Sequence, residues 1–298
     1  MTSPFTFRHV ETNGIRLHVA ECGPANASVM VMLHGFPECW AAWAPVAERL
    51  ADRYRCILPD QRGFNLSDKP EGVAAYDTKH MVADLLGLLD ALVPGRKVTL
   101  CGHDWGASVA YAFAMRHPER LERLVIANGV HPVCFQKAIW EDPDQRAASQ
   151  YMTTLRAKGS EERLRRDGYQ PLMNMFEKFS AAPWLTDEAK ATYVEAWDRP
   201  GALTAMLNWY RGSPIDVPPD DDPSRDLPTT DAMREKYRIA VPHLLLWGDA
   251  DTALRPVTHA DLPEFCDDLT VMAVDGASHW LLHERADVVA EAIVEFAG

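Results

Sequence analysis

Short runs of apolar residues, each bounded by turn-forming residues, recur along the chain and predict buried strands of a parallel sheet. We place six such strands at residues 29–33, 55–59, 97–101, 123–127, 243–247 and 269–274. Helical patterns lie between several of them, because residues 78–93 and 285–297 each concentrate apolar side chains on one face. This alternation predicts right-handed βαβ units, and hence an α/β fold with an open, mostly parallel sheet flanked by helices.

The alternation stops between residues 131 and 239, where helical, aromatic-rich segments replace the strands. We therefore predict two units, a core formed by residues 1–130 and 240–298 and an inserted helical cap formed by residues 131–239. The cap ends in a Pro/Asp-rich connector near residues 212–228. Its prolines and charges argue against a packed helix or strand and predict a mobile segment.

Composition narrows the classes of function. A chain of 298 residues that is 47% hydrophobic can bury a sizeable core, while a net charge of -13 argues against nucleic acid and anionic membrane surfaces as partners. There is neither a signal-peptide pattern nor a run of about 18 apolar residues, so we expect a cytoplasmic protein. The six cysteines lack CxxC spacing and favour reduced thiols, and we predict neither a metal nor a cofactor. The oligomeric state stays open between monomer and homodimer.

The strongest chemical signal is the sequence GHDWG at residues 102–106, which lies between a predicted strand and a helical stretch. A G-x-nucleophile-x-G sequence in this context is typical of a sharp turn that exposes the nucleophile above the carboxyl ends of the strands. Asp104 occupies the position at which an esterase has serine. The alternative is that Asp104 only caps the following helix, as aspartate commonly does.

A second loop is expected to face this turn. The sequence HGFP at residues 34–37 follows the first predicted strand. This is where a loop would donate one backbone N–H to an oxyanion hole, and we assign the two donors to Phe36 and Trp105. HGFP is also compatible with an ordinary turn at the end of a strand.

A base and an acid are expected after the last two predicted strands. His279 is the only histidine at a strand end late in the chain, and Asp251 lies in the loop WGDAD. Asp249 is the alternative acid, but we favour Asp251 because it lies deeper in the loop, whereas Asp249 suits a turn. Each group follows the carboxyl end of a strand, so His279 and one acid would converge on Asp104.

With these motifs the chain resembles the epoxide hydrolases of the α/β-hydrolase superfamily, which are related to the haloalkane and haloacetate dehalogenases. The resemblance covers almost the whole chain and rests on HGFPE at 34–38, DQRGFNLSDKP at 60–70, GHDWGA at 102–107, NWYR at 208–211, WGDAD at 247–251 and SHW at 278–280. It implies the α/β-hydrolase fold with an inserted cap. It also implies hydrolysis of an epoxide to a vicinal diol through a covalent alkyl ester on Asp104.

The resemblance further implies two cap tyrosines whose hydroxyls hold and protonate the epoxide oxygen. Tyr210 in LNWYR matches the second of these, and Tyr151 in SQYMTTLR matches the first. Tyr169 and Tyr193 are the other candidates in the cap. Ring opening generates an alkoxide, which a phenol can bind and then protonate without being a strong acid.

We expect Phe36, Trp105, Met152 and Trp209 to contact a small apolar epoxide, with water as the second substrate. A haloalkane or haloacetate dehalogenase is a rival, since it would use the same Asp-His-Asp triad. Against it, Phe36 occupies the position of the halide-binding asparagine, and Trp105 stands where fluoroacetate dehalogenases have arginine. The rival from another class is a non-catalytic small-ligand receptor on the same scaffold.

Overall fold

Residues 4–298, the part of the chain that the computed structural model describes, contain eight strands in a single sheet. The strands are β1 (Thr6–Thr12), β2 (Ile15–Cys22), β3 (Ser28–Leu33), β4 (Tyr54–Pro59), β5 (Val98–His103), β6 (Leu121–Ala127), β7 (His243–Gly248) and β8 (Leu269–Val274). Their order in the sheet is β1-β2-β4-β3-β5-β6-β7-β8. Strands β3 to β8 run parallel, and β2 pairs antiparallel with both β1 and β4. The predicted mostly parallel sheet is confirmed.

Each of the six predicted strands is present, but the hairpin formed by β1 and β2 was not predicted. Asn13 and Gly14 join its strands, and both have positive φ angles, 47° and 74°. This is the backbone conformation of a tight turn whose twist matches that of an antiparallel pair. On β1 only Val10 and Thr12 are buried, because it is an edge strand. The apolar pattern of β1 is therefore too weak to predict a strand.

Helices cover both faces of the sheet. Within residues 4–298 they are α1 (Ala44–Leu50), α2 (Thr78–Leu92), α3 (Trp105–Arg116), α4 (Pro132–Glu141), α5 (Pro143–Arg156), α6 (Ser160–Lys178), α7 (Asp187–Asp198), α8 (Ala202–Gly212), α9 (Asp231–Lys236), α10 (Leu281–Glu284) and α11 (Ala286–Ala297). The predicted helices at 78–93 and 285–297 correspond to α2 and α11.

The two faces of β3 show how the strands build the core. Val29, Val31 and Leu33 belong to a cluster that includes side chains of α2, α3 and the helices between β6 and β7. Met30 and Met32 belong to the other cluster, with α1 and α11. Side chains alternate between the faces of a strand, so a strand covered by helices on both sides reads as a continuous apolar run.

We call residues 128–242, between β6 and β7, the helical insertion. They form α4 to α8 and the short α9, and they contribute no strand to the sheet. The predicted helical character of this segment is thus present. Its division from the core as a separate cap unit stays a prediction.

The Pro/Asp-rich connector has no regular helix or strand from residue 213 to residue 230, as its composition predicts. It is nevertheless anchored. The buried guanidinium of Arg146 on α5 donates hydrogen bonds to the carbonyl oxygen of Asp222 and, at 3.1 Å, to Ser224 Oγ. The composition of the connector could not reveal these contacts, because Arg146 lies 76 residues before Asp222 and 78 residues before Ser224.

None of the helices formed by residues 4–298 combines the length and hydrophobicity needed to cross a bilayer. All six cysteines carry free thiols. In the same range, no group of three or more His, Cys, Asp or Glu side chains is arranged to hold a metal ion.

Candidate active site

The carboxyl ends of the parallel strands meet at one edge of the sheet, and the loops that follow them carry the candidate catalytic groups. These groups are Phe36 after β3, Asp104 after β5, Asn128 after β6, Asp251 after β7 and His279 after β8. The topology therefore gathers side chains that are far apart in sequence.

Asp104 lies at the apex of the turn between β5 and α3, where φ is 50° and ψ is -119°. A residue other than glycine rarely adopts positive φ, and such strain persists only when the surroundings enforce it. Gly106 permits the turn: a Cβ atom there would lie 2.1 Å from the carbonyl oxygen of Leu33. Gly35 permits the facing loop, since its Cβ would lie 2.3 Å from Asp104 Oδ1.

The carboxylate of Asp104 does not cap α3, because it makes no hydrogen bond to the N–H groups of that helix. Its Oδ1 instead accepts a hydrogen bond of 2.7 Å from the backbone N–H of Phe36. Trp105 is the first residue of α3, so its N–H is among those that the helix leaves without an internal partner. Of the two predicted backbone donors, the N–H of Phe36 contacts the Asp104 carboxylate, while the assignment of Trp105 as the second donor of an oxyanion hole stays a prediction.

His279 lies between two carboxylates. Its Nδ1 is 2.8 Å from Asp251 Oδ2, and its Nε2 is 3.7 Å from Asp104 Oδ2. Asp249, the alternative acid, accepts a hydrogen bond of 2.8 Å from the N–H of Gly276 and so joins the two loops. The geometry therefore brings the preferred acid, Asp251, to the imidazole.

Asp251 is held in place by a dense set of hydrogen bonds. The N–H groups of Ala253 and Leu254 donate to its Oδ1 at 2.8 and 2.9 Å. The side-chain Nδ2 of Asn128 donates to its Oδ2 at 2.8 Å, and the side-chain Oδ1 of Asn128 accepts from the N–H of Gly248 at 2.7 Å. Asn128 is buried at the end of β6 and was not predicted as a site residue. The sequence offers no motif around it that could have revealed this role.

The charges around His279 set its protonation state. Burial lowers the pKa of His279, but the carboxylates of Asp251 and Asp104 outweigh this effect and raise the pKa to about 10. The imidazole is therefore protonated at neutral pH as long as both carboxylates are charged.

Tyr151 on α5 and Tyr210 on α8 face the same cavity as Asp104. Their ring centroids are 6.2 Å apart. Burial raises the pKa of both hydroxyls, and the charge of Asp104 raises both further, so each phenol stays protonated at neutral pH. The other candidates point elsewhere, since the hydroxyl of Tyr169 donates to Asp198 and that of Tyr193 donates to Glu38.

The cavity has a volume of about 480 Å³ and is mostly apolar. Its wall is formed by Thr78, Asp104, Trp105, Ser108, Ala112, Met115, Arg116, Val130, Pro132, Phe135, Tyr151, Met152, Tyr210, Ser213, Pro214, Ile215, Lys236, Tyr237 and Leu254. Two of the four predicted substrate contacts, Trp105 and Met152, are in this set. The other two lie behind the wall: the Phe36 ring packs on Tyr210, and the Trp209 indole donates to the carbonyl oxygen of Arg62.

A second buried polar cluster surrounds Glu38 and was also not predicted. Glu38 Oε1 accepts a hydrogen bond of 2.9 Å from the Tyr193 hydroxyl and lies 2.7 Å from His283 Nε2, while Oε2 lies 3.3 Å from His103 Nδ1. Burial alone would raise the pKa of Glu38, but the imidazoles of His103 and His283 beside its carboxylate hold the pKa well below its usual range. Glu38 ends the motif HGFPE and His103 lies next to Asp104 in the motif GHDWG. Their places in these two motifs were the only sequence feature that could have pointed to this cluster.

Comparisons with known proteins agree with this geometry. Residues 28–286 match the family model for the alpha/beta hydrolase fold. The AB hydrolase superfamily protein YfhM of Bacillus subtilis (strain 168) is 36% identical over 290 residues, which cover 96% of each chain. Epoxide hydrolase 2 of Caenorhabditis elegans is 33% identical over 95% of this chain and 77% of its own.

Solved structures give the same result. One, from work on novel epoxide hydrolases in metagenomes from hot environments, superposes with a TM-score of 0.90 at 36% identity and covers 100% of this chain and 99% of its own. The similarity therefore extends over both the sheet and the helical insertion.

Gly106 lies so close to Leu33 that replacing this helical glycine by alanine should destabilise the fold. Alanine normally favours a helix over glycine by about 1 kcal/mol. We expect Gly106→Ala instead to lower the free energy of unfolding by about 1–3 kcal/mol, because the new methyl group overlaps the carbonyl oxygen of Leu33. Urea denaturation measures the change. Gly212→Ala is the control, since Gly212 at the end of α8 also lacks a positive φ, but its Cβ would come no closer than 3.3 Å to the carbonyl oxygen of Tyr76. A Gly106→Ala protein as stable as the native one would contradict the packing argued for this turn.

Proposed function

Because this chain belongs to the α/β-hydrolase fold family, we propose that it is an epoxide hydrolase that opens an epoxide to a vicinal diol through a covalent ester on Asp104. One observation carries the proposal: an aspartate occupies the strained apex, and two phenol hydroxyls face it across one cavity. An ester substrate would need no proton donor opposite the nucleophile, whereas an epoxide needs one for its departing oxygen. The similarity to epoxide hydrolases over nearly the whole chain supports the same function.

In the first step a carboxylate oxygen of Asp104 attacks one epoxide carbon. The new carbon–oxygen bond forms as the ring carbon–oxygen bond breaks, and the ring oxygen takes a proton from Tyr151 or Tyr210. The products are an alkyl ester of Asp104 with a neighbouring hydroxyl group, and a tyrosinate. In this proposal residues 131–239 act as a cap, because they supply both phenols.

In the second step His279 removes a proton from a water molecule, which attacks the carbonyl carbon of the ester. The N–H groups of Phe36 and Trp105 stabilise the oxyanion that forms. The tetrahedral intermediate then collapses: the diol oxygen takes the proton from His279, and the carboxyl proton of Asp104 passes to the imidazole, which restores the resting carboxylate and the protonated His279. Each turnover therefore consumes one epoxide and one water and restores every group.

The raised pKa of His279 explains why this residue acts as a base in ester hydrolysis but not before the ester has formed. In the free enzyme the charge of Asp104 helps to keep the imidazole protonated, so His279 is a poor base. Esterification neutralises Asp104 and removes that contribution, so the pKa of His279 falls and its proton passes through solvent to the tyrosinate formed in the first step. The imidazole consequently becomes available as a base only when there is an ester to hydrolyse.

The rival reactions are less well supported by these contacts. A haloalkane dehalogenase needs a pair of side-chain N–H donors for a departing halide. Trp105 lines the cavity and offers one indole N–H, but Phe36 has no side-chain donor to pair with it, and two phenols line the same cavity. A receptor that only binds a ligand has no need for the backbone strain at Asp104 or for the aligned His279 and Asp251.

The covalent intermediate provides a direct test of this mechanism. We expect His279→Gln to alkylate Asp104 but not to release product, because the water-activating base is lost. Intact-protein mass spectrometry after incubation with styrene oxide should show a mass increase equal to one substrate molecule.

Asp104→Ala is the control and should show no mass increase, since it lacks the nucleophile. Normal turnover by His279→Gln, or an equal adduct on Asp104→Ala, would exclude the proposed roles.

The two phenols should matter only for ring opening. We expect Tyr151→Phe and Tyr210→Phe each to slow the formation of the ester by about 10²-fold, the lower range of general acid catalysis, and the double variant to slow it further. Rapid-mixing measurements of ester formation separate this step from hydrolysis. Tyr54→Phe, at the start of β4 and outside the cavity wall, is the control. Ring opening at the native rate in the double variant would assign the acid role to another group.

A further inference from the structure

A buried carboxylate, that of Glu38, lies beside the catalytic loops but takes no part in the proposed reaction. Glu38 is only 1% exposed, and His103, which contacts it, is fully buried. Removing a carboxylate charge from water is costly unless partners compensate for it. The Tyr193 hydroxyl and His283 Nε2 contact its Oε1, and His103 Nδ1 contacts its Oε2. Separate segments of the chain therefore meet at this one group.

His103 is the member of this cluster that reaches the catalytic residues. It is the last residue of β5 and directly precedes Asp104. Its Nε2 lies 2.9 Å from the backbone carbonyl oxygen of His279. A carbonyl oxygen can only accept a hydrogen bond, so Nε2 carries a proton and is the donor. One side chain thus links the strand that leads into the nucleophile to the backbone of the base.

The backbone of His279 lies in a loop, between the end of β8 and the start of α10. Asp251 contacts the Nδ1 atom of the imidazole and fixes the direction of the ring. It does not fix where the backbone lies, although the distance of 3.7 Å between His279 Nε2 and Asp104 Oδ2 depends on both. The hydrogen bond from His103 supplies a direct restraint on that backbone.

Glu38 determines how the His103 ring is oriented. Its Oε2 lies 3.3 Å from His103 Nδ1. Within residues 4–298 neither of these two buried atoms has a partner at hydrogen-bond geometry, so the contact between them is what compensates their burial. A ring turned over about its Cβ–Cγ bond would face the carboxylate with carbon and withdraw Nε2 from the His279 carbonyl oxygen. The Glu38 carboxylate therefore favours the ring orientation in which His103 reaches His279.

We propose, building on the epoxide hydrolase function, that His103 is a positioning residue for the base: it holds the backbone of His279 against the end of β5, while Glu38 holds the His103 ring. Neither His103 nor Glu38 belongs to the described cavity wall, so both act through His279 and not on the substrate. In the proposed mechanism His279 acts as a base only in ester hydrolysis. Loss of the link should therefore slow that step and spare the formation of the ester.

Two substitutions at His103 separate its two contacts. In asparagine the side-chain amide nitrogen takes the place of Nδ1, and in glutamine it takes the place of Nε2. His103→Gln therefore keeps a donor for the His279 carbonyl oxygen, whereas His103→Asn keeps only the contact with Glu38. We expect His103→Asn to slow ester hydrolysis by about tenfold to a hundredfold, the cost of a displacement of about 1 Å, and His103→Gln to stay within about threefold of the native rate.

Rapid mixing with styrene oxide measures ester formation, and the decay of the ester in intact-protein mass spectrometry measures its hydrolysis. The His103→Asn protein should form the ester at the native rate and accumulate it during turnover. Tyr193→Phe is the control within the same cluster, because it removes one hydrogen bond from Glu38 Oε1 while His283 still contacts that oxygen. It should lower thermal stability and slow neither step selectively.

A second pair of variants tests Glu38 without any change at His103. Glu38→Gln keeps the shape of the side chain, and its amide nitrogen can donate to an unprotonated Nδ1 while Nε2 keeps its proton. We expect ester hydrolysis within about threefold of the native rate in Glu38→Gln, but a selective slowing of about threefold to tenfold in Glu38→Ala, whose His103 ring is free to turn. This pair decides the matter if His103→Asn does not fold.

Hydrolysis at the native rate in His103→Asn, or equal slowing of both steps, would overturn the positioning role. Equal hydrolysis by His103→Asn and His103→Gln would do the same, and equal hydrolysis by the two Glu38 variants would exclude the part assigned to Glu38. A failure of the proposed function looks different. If the native enzyme opens no epoxide of a panel that includes styrene oxide, the function itself fails. If it turns over an epoxide while the variant pairs behave alike, only the positioning role is excluded.

Discussion

The conformation of one residue governs the rest of the site. Asp104 has a positive φ at a turn that both Gly106 and Gly35 must allow by lacking a side chain. This geometry turns the carboxylate away from its own helix and towards the N–H of Phe36. A carboxylate that capped α3 would be an ordinary stabilising group. Held at the apex, it has one oxygen hydrogen-bonded to the N–H of Phe36 and the other facing His279.

The charges around this carboxylate follow from its position. Asp251 and Asp104 hold a proton on His279, and the buried amide of Asn128 keeps Asp251 oriented towards the imidazole. In the resting site both carboxylates stabilise the protonated imidazole. Once Asp104 is esterified, only the charge of Asp251 remains. In the proposed mechanism, esterification of Asp104 therefore changes the protonation state of the neighbouring imidazole of His279.

Much of this could be predicted from the sequence, because buried parallel strands are continuous apolar runs and the groups that follow them meet at one edge. The edge strand β1 escaped prediction since few of its side chains are buried. Asn128 and Trp209 depend on packing between distant elements: Asn128 bridges β6 to the loop after β7, and Trp209 turns its indole to the carbonyl of Arg62. No local pattern encodes such contacts. The contact between Arg146 and the connector could not be predicted from the sequence for the same reason.

The sheet loops and the helical insertion supply different groups to the candidate site. The loops of the sheet supply Asp104, His279 and Asp251, whereas the helical insertion supplies Tyr151 and Tyr210. Sheet loops are fixed by the strands that precede them, but the separation of the phenols depends on how α5 and α8 pack. In the proposed mechanism, the nucleophile Asp104 and the base His279 can therefore stay constant while helix packing adjusts which substrates reach them. The insertion also forms most of the cavity wall, so under this proposal the same helices would determine both selectivity and proton donation.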